Sequence, residues 1–224
     1  FITRLKDPAV RARLHTELAE DSASGLRSAA RTMISDVTAD SLKQYEGKLL
    51  TEVGKLRNED PYEAAFDILI ADSARTGAIY FSFNEDALRL AMKQPWVSVG
   101  QDAGALSPDS TGRFTEREHP RAFGTFPRIL GRYVRQDSVI TLEFAVRKMT
   151  SLAAQRVGIA DRGLLKPGMF ADITVFDPNT IIDNSTYENP SQISTGVNYV
   201  FVNGIAVVDA AKVTGALPGR ALRG

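Results

Sequence analysis

An α/β fold followed by a β-rich tail is what this sequence predicts, on three observations. From the N-terminus to about residue 163, segments with apolar residues at helical spacing alternate with short runs rich in β-branched and aromatic residues. That alternation points to parallel strands covered by helices, with chemistry gathered at the strands' C-terminal ends. Beyond residue 163 the pattern turns to strands and turns alone. Third, Trp96–Gly100 has the composition of a buried strand and runs directly into Asp102 on a Gly-bearing loop, which is how a barrel-type enzyme presents a catalytic acid.

The elements follow in order. Asp7 and Pro8 form an N-cap and first-turn pair, and Val10, Leu14 and Leu18 recur at helical spacing behind them. Arg31–Val37 is short and β-rich, as expected of a strand buried on both faces. Leu49–Leu56 reads as a helix. A second helix starts at Asp60-Pro61 and runs to Arg75, with Gly77 just past its end. Ala78–Phe83 is a strand, Asn84 caps the helix Glu85–Lys93, and Trp96–Gly100 is the next strand. The loop 101–118 is long, polar and rich in Gly, Ser and Thr, a length that in compact domains is functional or disordered. Helices return over Pro127–Arg135 and, capped by Thr141, over Leu142–Met149, with Leu142, Ala145, Val146 and Met149 as the apolar stripe. In the tail, Asp172–Asp177 is a strand. Tyr199–Val208 is a hairpin whose Asn203-Gly204 supplies the two positive-φ residues of a type I′ turn. The expected division is therefore 1–163 and 164–224.

Composition removes several function classes. The 224 residues are 43% hydrophobic, ample for a buried core. Twenty-seven basic and 27 acidic residues cancel without a basic run, so nothing suggests a nucleic-acid or anionic-membrane partner. The absence of cysteine excludes disulfides, thiolate catalysis and thiolate metal ligands, without fixing the compartment. No apolar run approaches the roughly 20 residues of a membrane span. Phe1-Ile2-Thr3-Arg4 is neither an initiator methionine nor a signal peptide, and the chain is expected to begin within a longer protein.

Two readings compete at each candidate residue. Asp102 is either a turn-forming acid or a catalytic one, and its place at a strand end puts the two on an even footing. His119 is held extended by Pro120; a lone loop histidine is more often a hydrogen-bonded surface residue than a ligand. Arg121, Arg128 and Arg132 form either a solvated cationic face or, for Arg121 beside Pro120, a guanidinium positioned for a carboxylate. His15 reads as an ordinary exposed histidine. Asp172 and Asp177 read as strand terminators. With two separated histidines and no cysteine, the chain holds at most part of a metal site.

Taken together, Tyr45–Leu50, Trp96–Ala103, His119–Gly131, Leu142–Gly158, Arg162–Pro178 and Val202–Val208 resemble the C-terminal portion of the N-acyl-D-amino-acid deacylases of the amidohydrolase superfamily. The tail segments are common to many amidohydrolases; His119–Gly131 is the narrower signature. The resemblance implies the last strands of a metal-dependent (β/α)8 TIM barrel plus the C-terminal strands of a small β-domain. It implies a cytoplasmic zinc enzyme that hydrolyses the amide of a small N-acyl-D-amino acid, with most zinc ligands upstream of this chain. On that basis Asp102 is both metal ligand and proton carrier, Arg121 grips the substrate carboxylate, and His119 shapes the substrate loop. Where relatives usually have Ser before the aspartate this chain has Gln101, and the following loop is long. The alternatives are a cyclic amidase resembling hydantoinases or dihydroorotases, and an incomplete fragment acting only as scaffold. Partners expected besides the substrate are the missing N-terminal half or further copies of the chain.

Overall fold

The computed structural model describes residues 1–23, 28–104, 106, 114 and 118–222. Most of the expected long loop therefore lies outside the described residues. By contacts the chain falls into two compact units. The first comprises Phe1–Asn84 with His119 and Tyr187–Pro190; the second holds Glu85 through Asp102, Pro120–Thr186 and the residues from Ser191 onward.

The first unit opens with α1 (Ile2–Leu5) and α2 (Pro8–Ala23). Asp7 caps α2 as its sequence predicts, accepting the Ala9 N–H at 2.9 Å. Strand β1 (Thr32–Ile34) is buried at all three positions, and after it come α3 (Leu50–Arg57) and α4 (Pro61–Ala71). Glu52 reaches back to the Leu49 N–H at 2.8 Å, and Asp60 accepts from Tyr62 and Glu63, so both helix starts are fixed by local acids. His15 does more than face solvent: its Nε2 lies 3.0 Å from Asp60 and its ring meets Tyr62 edge-on. The core is Ile34, Val37, Leu42, Leu50, Val53, Ala64 and Ile68 with their neighbours. Arg11 of α2 bridges Glu63 and Asp67 of α4 at 2.6 and 2.9 Å.

Strand β2 (Ala78–Tyr80) pairs with β1, and here expectation and structure part. The pairing is antiparallel, Met33 opposite Ile79, rather than parallel. One crossover helix returns a chain to the starting end and makes the next strand parallel. Two helices in series, α3 and α4, which pack on each other after a three-residue link, add one more reversal. α4 also stops at Ala71, four residues short of the predicted end, because the Asp72 side chain turns inward and Ser73 and Ala74 take positive φ.

The second unit contains α5 (Glu85–Lys93), α6 (Arg121–Arg128) continued by a π-helical stretch Ile129–Gln136, α7 (Leu142–Met149) and α8 (Ser151–Arg156). α6 begins six residues before the predicted start, so Pro127 sits inside the helix. The missing N–H and the ring's clash with the preceding turn disturb the ladder there, and the π-helical stretch follows. Thr141 caps α7, accepting from Phe144 N–H at 3.3 Å. Met92, Ile129, Leu130, Tyr133, Ala145 and Ile181 form the core.

Four antiparallel strands complete this unit: β3 (Ile173–Phe176), β4 (Val197–Val202), β5 (Ile205–Asp209) and β6 (Lys212–Val213), in that order across the sheet. Asn203 and Gly204 have φ of 50° and 80°, the type I′ geometry expected of them, and Asp177 ends β3 by accepting from Asn179 and Thr180. The β5–β6 turn has the same backbone, with Ala210 and Ala211 at φ 46° and 63°. Alanine gains nothing locally in this region, which costs L-residues about 1–2 kcal/mol. Replacing Ala210-Ala211 by Asn-Gly should therefore raise stability by about 1 kcal/mol, net of the greater entropy glycine loses on folding; a urea-denaturation midpoint that does not rise would contradict the strain. No helix among the described residues is long and apolar enough to cross a membrane.

Candidate active site

The segment expected to be a buried strand, Trp96–Gly100, belongs to no sheet among the described residues. Trp96 is exposed, and side chains alternate between partly buried and exposed up to Asp102. A strand is buried on both faces only when neighbours flank it, and no neighbouring strand is described here. Its path is fixed by other means. Val99 packs on the second unit's core and its N–H donates to the Lys148 carbonyl at 3.3 Å. The Lys148 ammonium donates to the Gln94 carbonyl and, at 2.7 Å, to that of Val97. Arg147 donates to the Pro95 carbonyl at 3.1 Å and Arg156 to that of Trp96 at 3.2 Å.

At the end of this segment Asp102 adopts φ 49°, a left-handed conformation that Asp tolerates better than most residues and that recurs where function over-determines the backbone. Its carboxylate is 90% exposed and meets Arg121 Nη2 at 3.0 Å. Two of the three predicted site residues are thus brought together. Arg121 owes its place to the first turn of α6, directly after Pro120. His119 belongs to the first unit, where its ring stands edge-on to Tyr187 at 5.4 Å, and Tyr187 in turn meets Phe81 at 4.7 Å. The other two arginines are engaged with acids: Arg128 pairs with the largely buried Asp183 at 2.9 Å, and Arg132 lies 3.5 Å from both Glu85 and Asp137. Asp172 pairs with Arg162 and accepts the Asn203 N–H at 2.8 Å, tying the tail hairpin to the loop before β3.

Lys148 was not legible as a site residue. It is 1% exposed, yet it stands in a basic Arg147-Lys148 pair of the kind that marks a solvated helix end. The available signal was its position three residues after the buried Ala145, on the edge of the α7 apolar stripe. Burial, then the neighbouring Arg147 charge, pushes its ammonium below the ordinary lysine range.

Among the described residues, no three His, Cys, Asp or Glu side chains cluster closely enough to hold a metal ion. Asp102, an open oxygen donor, fits one ligand's share of a metal site; the chain's described residues do not make a whole one. A groove of about 480 Å³ in the first unit, lined by residues including Met33, Lys48, Leu49, Phe81 and Glu188, contains none of the candidates.

The chain belongs to the Amidohydrolase family, whose match spans residues 2–208. It is 38% identical to a D-aminoacylase of Alcaligenes xylosoxydans xylosoxydans over 179 residues, covering 80% of this chain and 34% of that protein. It is 44% identical to an N-acyl-D-glutamate deacylase of the same organism over 147 residues, 66% of this chain and 28% of the relative. The fold matches the crystal structure of N-acyl-D-glutamate deacylase from Bordetella bronchiseptica, solved with zinc and a phosphonate mimic of the tetrahedral intermediate, at a TM-score of 0.67 and 35% identity, covering 85% of this chain and 36% of that one. The chain therefore spans about a third of the length of the relatives it matches.

Proposed function

We propose that the protein containing these residues hydrolyses the amide bond of N-acyl-D-amino acids, releasing a carboxylate and a free D-amino acid. The observation that carries the reading is the Asp102–Arg121 pair at the end of the braced segment, within a chain similar over most of its length to D-aminoacylases and N-acyl-D-amino-acid deacylases. In this reading residues 1–163 are the C-terminal portion of the barrel and 164–224 part of the small β-domain; the antiparallel sheet lies wholly in the latter, while the contacts run on across residue 163 within one compact unit.

Asp102, together with ligands from outside these residues, would hold zinc, which when bound would polarise the scissile carbonyl and acidify a water. Asp102 accepts the proton of the attacking water at a carboxylate oxygen and delivers it to the departing amine nitrogen. Its exposure leaves that oxygen open to substrate and solvent. Arg121 holds the substrate α-carboxylate, since a guanidinium fork matches a carboxylate in two parallel hydrogen bonds; with Asp102 it makes a single contact, Nη2 at 3.0 Å from one carboxylate oxygen. His119, in its aromatic contact with Tyr187, shapes the substrate loop without touching metal.

The test uses the full-length protein with paired N-acyl-D- and N-acyl-L-amino acids, the amidated D-substrate and a hydantoin. Turnover confined to the D-acid supports the reading, whereas preference for the hydantoin would replace it with a cyclic amidase. Arg121→Ala should raise KM for the D-acid on the order of 10- to 100-fold, the worth of a charge-assisted pair, and leave the amidated analogue nearly unaffected. Equal losses on both would remove the carboxylate grip.

A further inference from the structure

Four successive main-chain carbonyls, Gln94 to Val97, are each held by a cation from α7 or α8. A lysine near a helix C-terminus satisfies orphan carbonyls of the last turn, and for Gln94, just after α5, that is sufficient. Val97 lies beyond the helix, and the same ammonium takes its carbonyl as well. Lys148 thus ties the end of α5 to the outgoing segment and fixes the direction in which the chain leaves. Its own carbonyl receives the Val99 N–H, so a single residue of α7 grips the segment at three points, the last of them three residues before Asp102.

The chemistry of the site argues against plain packing. Lys148 is 1% exposed, its ammonium has carbonyls and the Phe144 ring at 4.6 Å for neighbours, and burying a charge without a counter-ion is costly. A side chain needed only to fill that place would be Leu or Met. An ammonium with three donors suits a place where carbonyls converge from a segment that, among the described residues, pairs with no strand. Arg147 and Arg156, on exposed side chains, complete the brace at Pro95 and Trp96.

We propose that Lys148 is a positioning residue for Asp102: by clamping the Gln94, Val97 and Val99 backbone groups it sets where the Asp102 carboxylate stands for proton transfer. The proposal rests on the reading of Asp102 given above. An error of about 1 Å in a reacting group costs on the order of 100-fold in rate, and substrate binding through Arg121, carried by α6, is not routed through the clamp.

In the full-length protein, Lys148→Met keeps the length and removes the donors, and Lys148→Arg keeps a cation. The Met variant should lose on the order of 100-fold in kcat with KM held within about threefold, and the Arg variant should recover most of the loss. In the zinc-free protein, hydrogen exchange should quicken at the Val97–Gln101 amides of the Met variant and stay unchanged at Ala145 and Val146 in α7. An unchanged kcat in folded Lys148→Met protein, or a loss matched by a parallel rise in KM and faster exchange throughout α7, overturns the proposal. Should the Met variant fail to fold, Arg156→Ala removes one exposed arm of the brace; it should lower kcat about three- to tenfold at constant KM, and no change there is equally fatal. Asp102→Asn, assayed alongside, separates the two levels. If it is inactive while Lys148→Met is normal, only the positioning role falls; if it is fully active, the reading beneath it falls too.

Discussion

Asp102→Asn is expected to lower kcat of the full-length protein about 10²–10⁴-fold, the range for loss of a positioned general acid–base, while zinc content stays close to wild type. The two side chains are nearly isosteric. Asn keeps an oxygen to accept from Arg121, which meets the Asp102 carboxylate at 3.0 Å, so α6 and the guanidinium have no reason to move. The backbone favours the exchange as well: Asp102 sits at φ 49°, and Asn is among the few residues equally at ease there. The amide cannot accept a proton at neutral pH and is a weaker metal ligand than the carboxylate, so zinc stoichiometry beside turnover separates proton transfer from metal binding. Turnover of an N-acyl-D-amino acid together with zinc stoichiometry by atomic absorption provides the check. An Asn variant with wild-type kcat removes Asp102 from the chemistry, and one that loses zinc in step with activity makes it a metal ligand before a base.

Chemistry confined to a few neighbouring residues was legible in the chain. Asp7-Pro8, Asp60-Pro61 and Thr141 each start a helix because a short polar side chain accepts the first free N–H groups, and Asn203-Gly204 makes its hairpin because its two residues accept positive φ. What depended on distant partners was not. The relative direction of β1 and β2 follows from two helices packing in series between them. Trp96–Gly100 carries strand composition, yet strand structure requires a hydrogen-bonded neighbour, and none is present among the described residues; its Trp96 and Val97 carbonyls accept instead from Arg156 and Lys148, more than 50 residues downstream. At the site, Asp102 and Arg121 could be nominated singly from their loop contexts; their contact across 19 residues of sequence is a property of the fold. Buried polar residues were the least visible class, since Lys148 and Asp72 each look like ordinary surface charges when read with their neighbours.

Asp72 carries the largest stability effect expected in the first unit. It is fully buried at the end of α4. Its Oδ1 accepts from the Thr38 hydroxyl at 2.6 Å, the Ala39 N–H at 2.8 Å and the Thr38 N–H at 2.9 Å, and its Oδ2 accepts from the Thr76 hydroxyl at 2.9 Å. One carboxylate therefore joins the segment after β1 to the turn between α4 and β2, the two strands of the first sheet's only described pair. Burial alone raises such a carboxyl's pKa. Here the Thr38 hydroxyl, the Ala39 N–H, the Thr76 hydroxyl and the Thr38 N–H outweigh it and hold the group below the ordinary aspartate range. Asp72→Ala leaves those donors without their acceptor in a part-buried site, and with hydrogen bonds to a charged group worth about 1.5–3 kcal/mol each before non-additivity, a loss of about 3–5 kcal/mol is expected. The sign with pH follows from the lowered folded value. Stability from the ionised group is fully present above the unfolded aspartate pKa of about 3.9 and is lost as pH falls through the folded one. The gap between wild type and Asp72→Asn in urea unfolding should accordingly be constant from pH 8 down to about 5 and narrow only on further acidification. A gap that widens in acid would mean that the buried carboxyl is protonated in the folded protein, and the four donors would then need another account.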